Sequence, residues 1–296
     1  MEHYIRYVRP GFKHFDPVLL AKETERIVCK GNKRKYTGFV LDPEYRGIVT
    51  GYTSGCSLRC VFCSGDWSRD YPEKCGRFYS PKEVFKKLSD IAEKSGTRQL
   101  RISGAEPTIG KAHILELLEY AENSEFRIFM LETNGTLFGV DRDYVQAISK
   151  FRKINVRVSL KAGTPYDFAR KTGAIPESFN IPFEAIRNLI KYKIKFKVAA
   201  VTDPRLMSEE ERNMLLKKLE SINPNILLKL DEEVMFPYRT ALTRLQQAGF
   251  AWRQYLFPWR MHEWMEIAWR MSRYKVVNFK RLVYILQRTQ KHARTK

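Results

Sequence analysis

The run Arg46-Gly47-Ile48-Val49-Thr50-Gly51-Tyr52 leads within a few residues into Cys56-Ser57-Leu58-Arg59-Cys60-Val61-Phe62-Cys63. The first stretch is β-branched and lacks the helical period, so it reads as a strand, and the cysteines fall on the loop that follows. Three thiols within eight residues are the donor set of a metal centre. Four cysteines would close the shell of a zinc ion or a cubane cluster, whereas three leave one iron of a four-iron four-sulfur cluster without a protein ligand. A zinc site built from these thiols and one of His3, His14, His113, His262 or His292 stays open as an alternative, although no histidine lies at short zinc-finger spacing from the loop.

Outward from this loop, apolar runs alternate with amphipathic stretches. Strands are expected over 46–52, 99–103, 126–131, 155–160, 194–201 and 225–230, with helices between them. One helix opens at Ser80-Pro81-Lys82-Glu83, with an N-cap Ser, Pro at N1 and Glu at N3, and Ser208 with Glu211 repeats that capping signature. Strands alternating with helices predict parallel pairing through right-handed crossovers. The expected fold is α/β, a partial (β/α)6 TIM-like barrel, because the polar motifs sit at the C-terminal ends of successive strands, where a barrel brings them together. No Gly-x-Gly-x-x-Gly follows the first strand, which disfavours a dinucleotide-binding sheet. The expected organisation is an N-terminal extension over 1–45 with a solvated basic run at Lys30–Lys35, the barrel over 46–238, and a C-terminal helical segment over 239–296.

The chain has 296 residues and a net charge of +20, and five cysteines, an odd number and mostly clustered, argue against a secreted disulfide framework. Without a run of 18 apolar residues or an N-terminal apolar segment, a cytoplasmic protein without membrane association is expected. The charge is uneven: residues 239–296 hold 13 Lys or Arg against Glu263 and Glu266.

The cysteine spacing, with an aromatic Phe62 before the last thiol, resembles the signature of the radical S-adenosylmethionine superfamily. Further motifs follow in that family's order. Gly104-Ala105-Glu106-Pro107 resembles the GGEP motif, with Ala for the second Gly; Glu132-Thr133-Asn134-Gly135 resembles the (D/E)TNG segment. Ser159-Leu160-Lys161 is similar to the DLK segment of the pyruvate formate-lyase-activating-enzyme-like group, with Ser for Asp. The resemblance, over roughly residues 46–231, implies a 4Fe-4S cluster on Cys56, Cys60 and Cys63 and S-adenosylmethionine held by Phe62, Gly104, Ala105, Glu106, Pro107, Thr133, Asn134, Ser159 and Lys161. It also implies reductive cleavage of that cofactor to a 5′-deoxyadenosyl radical, and a reductant protein such as flavodoxin or ferredoxin. Cys29 and Cys75 cannot complete a second four-cysteine cluster, which disfavours the subclasses that carry one.

Trp252, Trp259, Trp264 and Trp269 lie among the arginines of the basic C-terminal segment. Basic residues beside aromatics suit looped or single-stranded RNA. The function expected from sequence is therefore a radical enzyme acting on a macromolecular substrate, RNA in particular, as in tRNA modification. An activase of a glycyl radical enzyme is the alternative within the family, and an RNA-binding protein with a structural metal site is the alternative of another class.

Overall fold

The computed structural model describes residues 4–251. Helix α1 (Pro17–Val28) is followed by strands β1 (Cys29–Lys30), β2 (Lys33–Asp42), β3 (Ile48–Thr53) and β4 (Arg77–Tyr79). The chain then alternates through α2 (Pro81–Ser95), β5 (Gln99–Gly104), α3 (Lys111–Glu122), β6 (Ile128–Thr133), α4 (Thr136–Val140), α5 (Arg142–Ile148) and β7 (Ile154–Leu160). It closes with α6 (Pro165–Thr172), α7 (Ile181–Lys191), β8 (Phe196–Val201), α8 (Glu209–Ile222), β9 (Asp231–Glu233) and α9 (Arg239–Gln247). Strands β3, β5, β6, β7, β8 and β9 pair in that order, all parallel, in a sheet that does not close. This is the partial barrel that the sequence predicts.

Strand side chains alternate between faces. Leu100, Ile102, Phe129, Leu131, Val156, Val158 and Leu160 are buried in the core, while Tyr52, Ser103, Glu132, Arg157, Ser159 and Asp231 line a cavity. Closed (β/α)8 barrels fill the inner side with branched aliphatics; here that side is polar. No helix among the described residues is long and apolar enough to cross a membrane.

Three local expectations are corrected. Residues 225–229 belong to a 3-10 turn, Pro224–Lys229, and the sixth parallel strand is only Asp231–Glu233; the Asn223 side chain accepts from Asn225 N and Pro224 starts the turn, which removes these residues from extended pairing. The N-terminal segment is not an appendage. Strand β2 runs antiparallel to β3 and extends the sheet. Nor is its basic run all solvated: Arg34 and Lys35 are buried, with Arg34 Nε donating to Ile109 O (2.9 Å) and Lys35 Nζ to the carbonyls of Pro72 (2.8 Å) and Glu73 (2.9 Å). The segment from residue 239 begins as a helix, but Ala241, Arg244 and Leu245 are buried against the body; Trp252, Trp259, Trp264 and Trp269 lie outside the described residues.

Ser80 and Glu83 form the predicted capping box. Ser208 also caps its helix, whereas the Glu211 carboxylate turns inward, to Gly163 N (2.8 Å) and the buried Lys171 Nζ (2.6 Å).

One tie between the N-terminal strand and the barrel titrates. His113 on α3 bonds Tyr36 Oη through Nε2 and Asn32 O through Nδ1, both at 2.9 Å. The carbonyl needs a donor, so Nδ1 carries the proton and Nε2 accepts from Tyr36. Burial, the largest cause, lowers the His113 pKa to about 4. The unfolded chain binds this proton more tightly, so stability is full above the ordinary histidine value and falls as pH drops toward 4, by an amount on the order of 3 kcal/mol. Denaturant titration from pH 7 to pH 4 checks this: His113→Gln should flatten the slope, and an unchanged slope would contradict it.

Candidate functional site

Strand β3 delivers the cysteine loop to the C-terminal mouth of the sheet, and the three thiols of Cys56, Cys60 and Cys63 line one cavity of about 790 Å³. Cys56 and Cys60 are buried, and Cys63 is half-buried. Two N–H groups already point at the first sulfur: Leu58 N lies 3.4 Å and Asn134 Nδ2 3.7 Å from Cys56 Sγ. Such donors stabilise a thiolate. Burial, with the Glu106 charge adding to it, pushes the free Cys56 thiol up to about 12. Burial also raises Cys60, against the pull of Lys161. At Cys63 the Arg244 and Arg69 guanidiniums outweigh burial and hold the thiol below its ordinary value. The donor chemistry therefore fits an iron-sulfur cluster. No three His, Cys, Asp or Glu side chains among the described residues gather as for a single ion.

The motifs at the ends of β5 and β6 lock together behind this loop. Glu106 is fully buried. One carboxylate oxygen accepts from Thr108 N (3.2 Å), Thr108 Oγ1 (2.6 Å) and Thr133 Oγ1 (2.7 Å), the other from Asn134 N (2.8 Å). Glu106, which the resemblance assigns to the cofactor's seat, has a carboxylate that joins the loops after β5 and β6. Gly104, Ala105 and Pro107 do line the cavity, as do Phe62, Thr133 and Asn134. Gly104 has φ +102° and a Cβ there would stand 2.8 Å from Thr53 N, so only glycine allows this approach of β5 to β3. Asn134 works on both sides: Oδ1 accepts from Thr136 N (2.9 Å) at the start of α4, and Nδ2 donates to Ser57 Oγ (2.9 Å).

Arg157 and Ser159 on β7, and Lys161 just after it, line the cavity. Lys161 Nζ donates to Ser159 Oγ (2.6 Å) and is half-buried. Arg157 Nη2 donates to Asp231 (2.6 Å) and Glu233 (2.8 Å), and Arg101 bridges Asp42 (2.8 Å), Glu44 (2.5 Å) and Glu132 (3.1 Å). Burial disfavours the Arg157 charge, but the carboxylates of Glu233, Glu132 and Asp231 more than offset it. The sequence reading did not single out Arg157, Asp231 or Glu233 as lumen residues, nor Ser57 and Arg101 as their supports, and it named Glu132 only as part of its motif. Alternation within otherwise apolar strands was the available signal for Arg101, Glu132 and Arg157; Asp231 and Glu233 fell beyond the expected strand end. Cys75 and Cys29 do not line the cavity, and burial raises both thiols.

Residues 51–218 match the model of the radical SAM superfamily. The chain belongs to the radical SAM superfamily. That family consists of enzymes using a 4Fe-4S cluster and S-adenosylmethionine. Among curated relatives, a probable GTP 3′,8-cyclase of Methanococcus vannielii is 27% identical over 161 residues, covering 54% of this chain and 52% of that protein. A 7-carboxy-7-deazaguanine synthase of Rhodopirellula baltica is 24% identical over 198 residues, covering 66% of this chain and 67% of that protein. This radical SAM chain spans about half or less of the cyclase relatives it matches. Among solved structures, SuiB of Streptococcus suis bound to the precursor peptide SuiA is similar at 19% identity and TM-score 0.49, covering 70% of this chain and 45% of that one. AdoMet-bound anSMEcpe is similar at 20% identity and TM-score 0.46, covering 62% and 49%.

The Glu106 knot generates a direct test. Glu106→Gln would set an amide N–H against one of four donors, costing about 1–3 kcal/mol in denaturant-induced unfolding. Unchanged stability would contradict the knot.

Proposed function

We propose that this radical SAM chain abstracts hydrogen from a small polar molecule held in the barrel lumen. The observation that carries the reading is the continuity of the cavity: the same space reaches from the three thiols to Glu132, Arg157, Asp231 and Glu233. About 790 Å³ lies within the range of small-molecule and cofactor sites.

In this reading Cys56, Cys60 and Cys63 hold the cluster, and Asn134 and Leu58 direct N–H groups at the first of them. The 104–107 loop and Phe62 shape the cofactor's seat, where Gly104 permits close backbone approach, and Lys161 supplies a positive charge for a carboxylate. The bound cluster and S-adenosylmethionine supply reductive cleavage of the sulfonium and, from it, hydrogen abstraction. The lumen's part is to orient the reacting C–H bond and to keep competing groups away.

The lumen carboxylates suit the end of a ligand that is rich in N–H donors, with any phosphate it carries directed away from them. A purine base meets that description, and the relatives include proteins named for GTP 3′,8-cyclase activity, so guanine nucleosides and nucleotides are the first compounds to try. The expectation of an RNA substrate rested on residues 239–296; α9 is packed against the body, and the aromatic-rich part lies outside the described residues. The relatives named for GTP do not support an RNA partner.

Anaerobic reconstitution with dithionite tests the reading through 5′-deoxyadenosine release. We expect cleavage that is stimulated by guanosine or GTP, or by the low-molecular-mass fraction of a cell extract, and that is abolished in Cys60→Ala. Stimulation by RNA or by a protein alone would overturn the small-molecule reading, and full cleavage by Cys60→Ala would overturn the ligand assignment.

A further inference from the structure

Against the cysteine loop, where Arg69 also lines the cavity, three buried charges form a unit. Asp70 is fully buried and Arg69 and Arg244 nearly so. Asp70 Oδ1 accepts from Arg69 Nε (3.0 Å) and Nη2; Asp70 Oδ2 accepts from Arg244 Nε (3.1 Å) and Nη2. The remaining guanidinium N–H groups are turned on main-chain carbonyls. Arg69 Nη1 donates to Cys60 O (2.8 Å), while Arg244 Nη1 donates to Cys63 O and Gly65 O (both 2.6 Å) and Nη2 to Asp66 O (2.8 Å).

Two of these carbonyls belong to the cysteines themselves and two to the turn that follows them, and Arg69 Nη2 also reaches a fifth, Arg6 O (3.2 Å). A planar guanidinium with donors in a fixed fork, anchored bidentately on a buried carboxylate, is a rigid template. Arg244 sits on α9, beyond the 51–218 family match, and Arg69 lies only nine residues after Cys60. The carboxylate thus welds a helix late in the chain to the loop that carries the thiols. Two guanidiniums against one carboxylate also leave a net positive charge close against the loop, in a place with little water to screen it.

We propose that Arg244, held by Asp70 and working with Arg69, is a positioning residue that fixes the cysteine loop and raises the reduction potential of the cluster. The proposal rests on the cluster reading above. A one-electron reduction adds negative charge at the thiolate-bound centre, and an uncompensated cation against the loop favours the reduced state. Removing the Arg244 charge leaves Arg69 and Asp70 neutral as a pair and lowers the potential. Neutralising Asp70 leaves two cations and raises it. Keeping the charge at position 244 while losing the fork keeps the potential and loosens the loop.

The test is an anaerobic redox titration of the reconstituted full chain, followed by electron paramagnetic resonance, on the wild type and on Arg244→Met, Arg244→Lys and Asp70→Asn. Iron and sulfide content and thermal melting are measured alongside. We expect Arg244→Met to show at least a tenfold lower reduced-to-oxidised ratio at a fixed ambient potential, which is about 59 mV for a one-electron couple. Asp70→Asn should shift in the opposite direction, and Arg244→Lys should stay near the wild-type potential with reduced iron retention. A merely structural role would lower iron content in all variants without opposite shifts. Unchanged potentials, or shifts of one sign in Arg244→Met and Asp70→Asn, would overturn the assignment. Should one variant not fold, the other's sign of shift still decides. A wild-type chain that takes up no four-iron cluster would overturn the site reading, and this assignment with it.

Discussion

The site depends on one buried carboxylate. Glu106 carries a charge at zero exposure and holds it by four hydrogen bonds from Thr108, Thr133 and Asn134. An ion so buried is tolerated only when its oxygens are fully engaged. The engagement draws the ends of β5 and β6 into one plane beneath the cysteine loop. From there Asn134 reaches Ser57 and Cys56, so the placement of the first thiol follows from the satisfaction of Glu106. Gly104 is part of the same constraint, since a side chain there would push β5 off β3.

A second constraint concerns charge inside the barrel. The whole chain is strongly cationic, with a net +20, yet the lumen collects Glu44, Glu132, Asp231 and Glu233 around Arg101 and Arg157. Paired charges of this kind add little stability and often cost it relative to apolar packing. Their presence where closed (β/α)8 barrels place valine and isoleucine is best understood as a sacrifice of core packing for recognition. The same logic extends to the packing against the cysteine loop, where Arg69, Asp70 and Arg244 displace what could have been an apolar contact.

Much of this was legible in the sequence because the motifs carry their own geometry. The order of a β-branched run, three clustered cysteines, Gly104-Ala105-Glu106-Pro107, Glu132-Thr133-Asn134-Gly135 and Ser159-Leu160-Lys161 marked the ends of successive parallel strands, since each motif needs a strand to deliver it. What escaped depends on contacts distant in sequence. Arg34 and Lys35 look like a solvated basic run until the carbonyls of Ile109, Pro72 and Glu73 arrive around them. Arg244 looks like one more surface arginine in a basic segment until Asp70 appears 174 residues away in sequence. The partners of Glu106 were not legible because the resemblance names the residue without showing that Thr133 and Asn134 donate to its oxygens. Strand β9 was missed because Asn223-Pro224 starts a turn within an apolar run that reads as extended.

The account stands or falls on whether the three thiols hold a cluster with one iron open to a small molecule. Mössbauer spectra of the chain reconstituted anaerobically with 57Fe, recorded with and without S-adenosylmethionine, address this directly. The account predicts one iron distinct from the other three, whose spectrum alone changes when the cofactor is added. Four equivalent irons unaffected by S-adenosylmethionine, or a chain that binds a single zinc in place of iron, would contradict it.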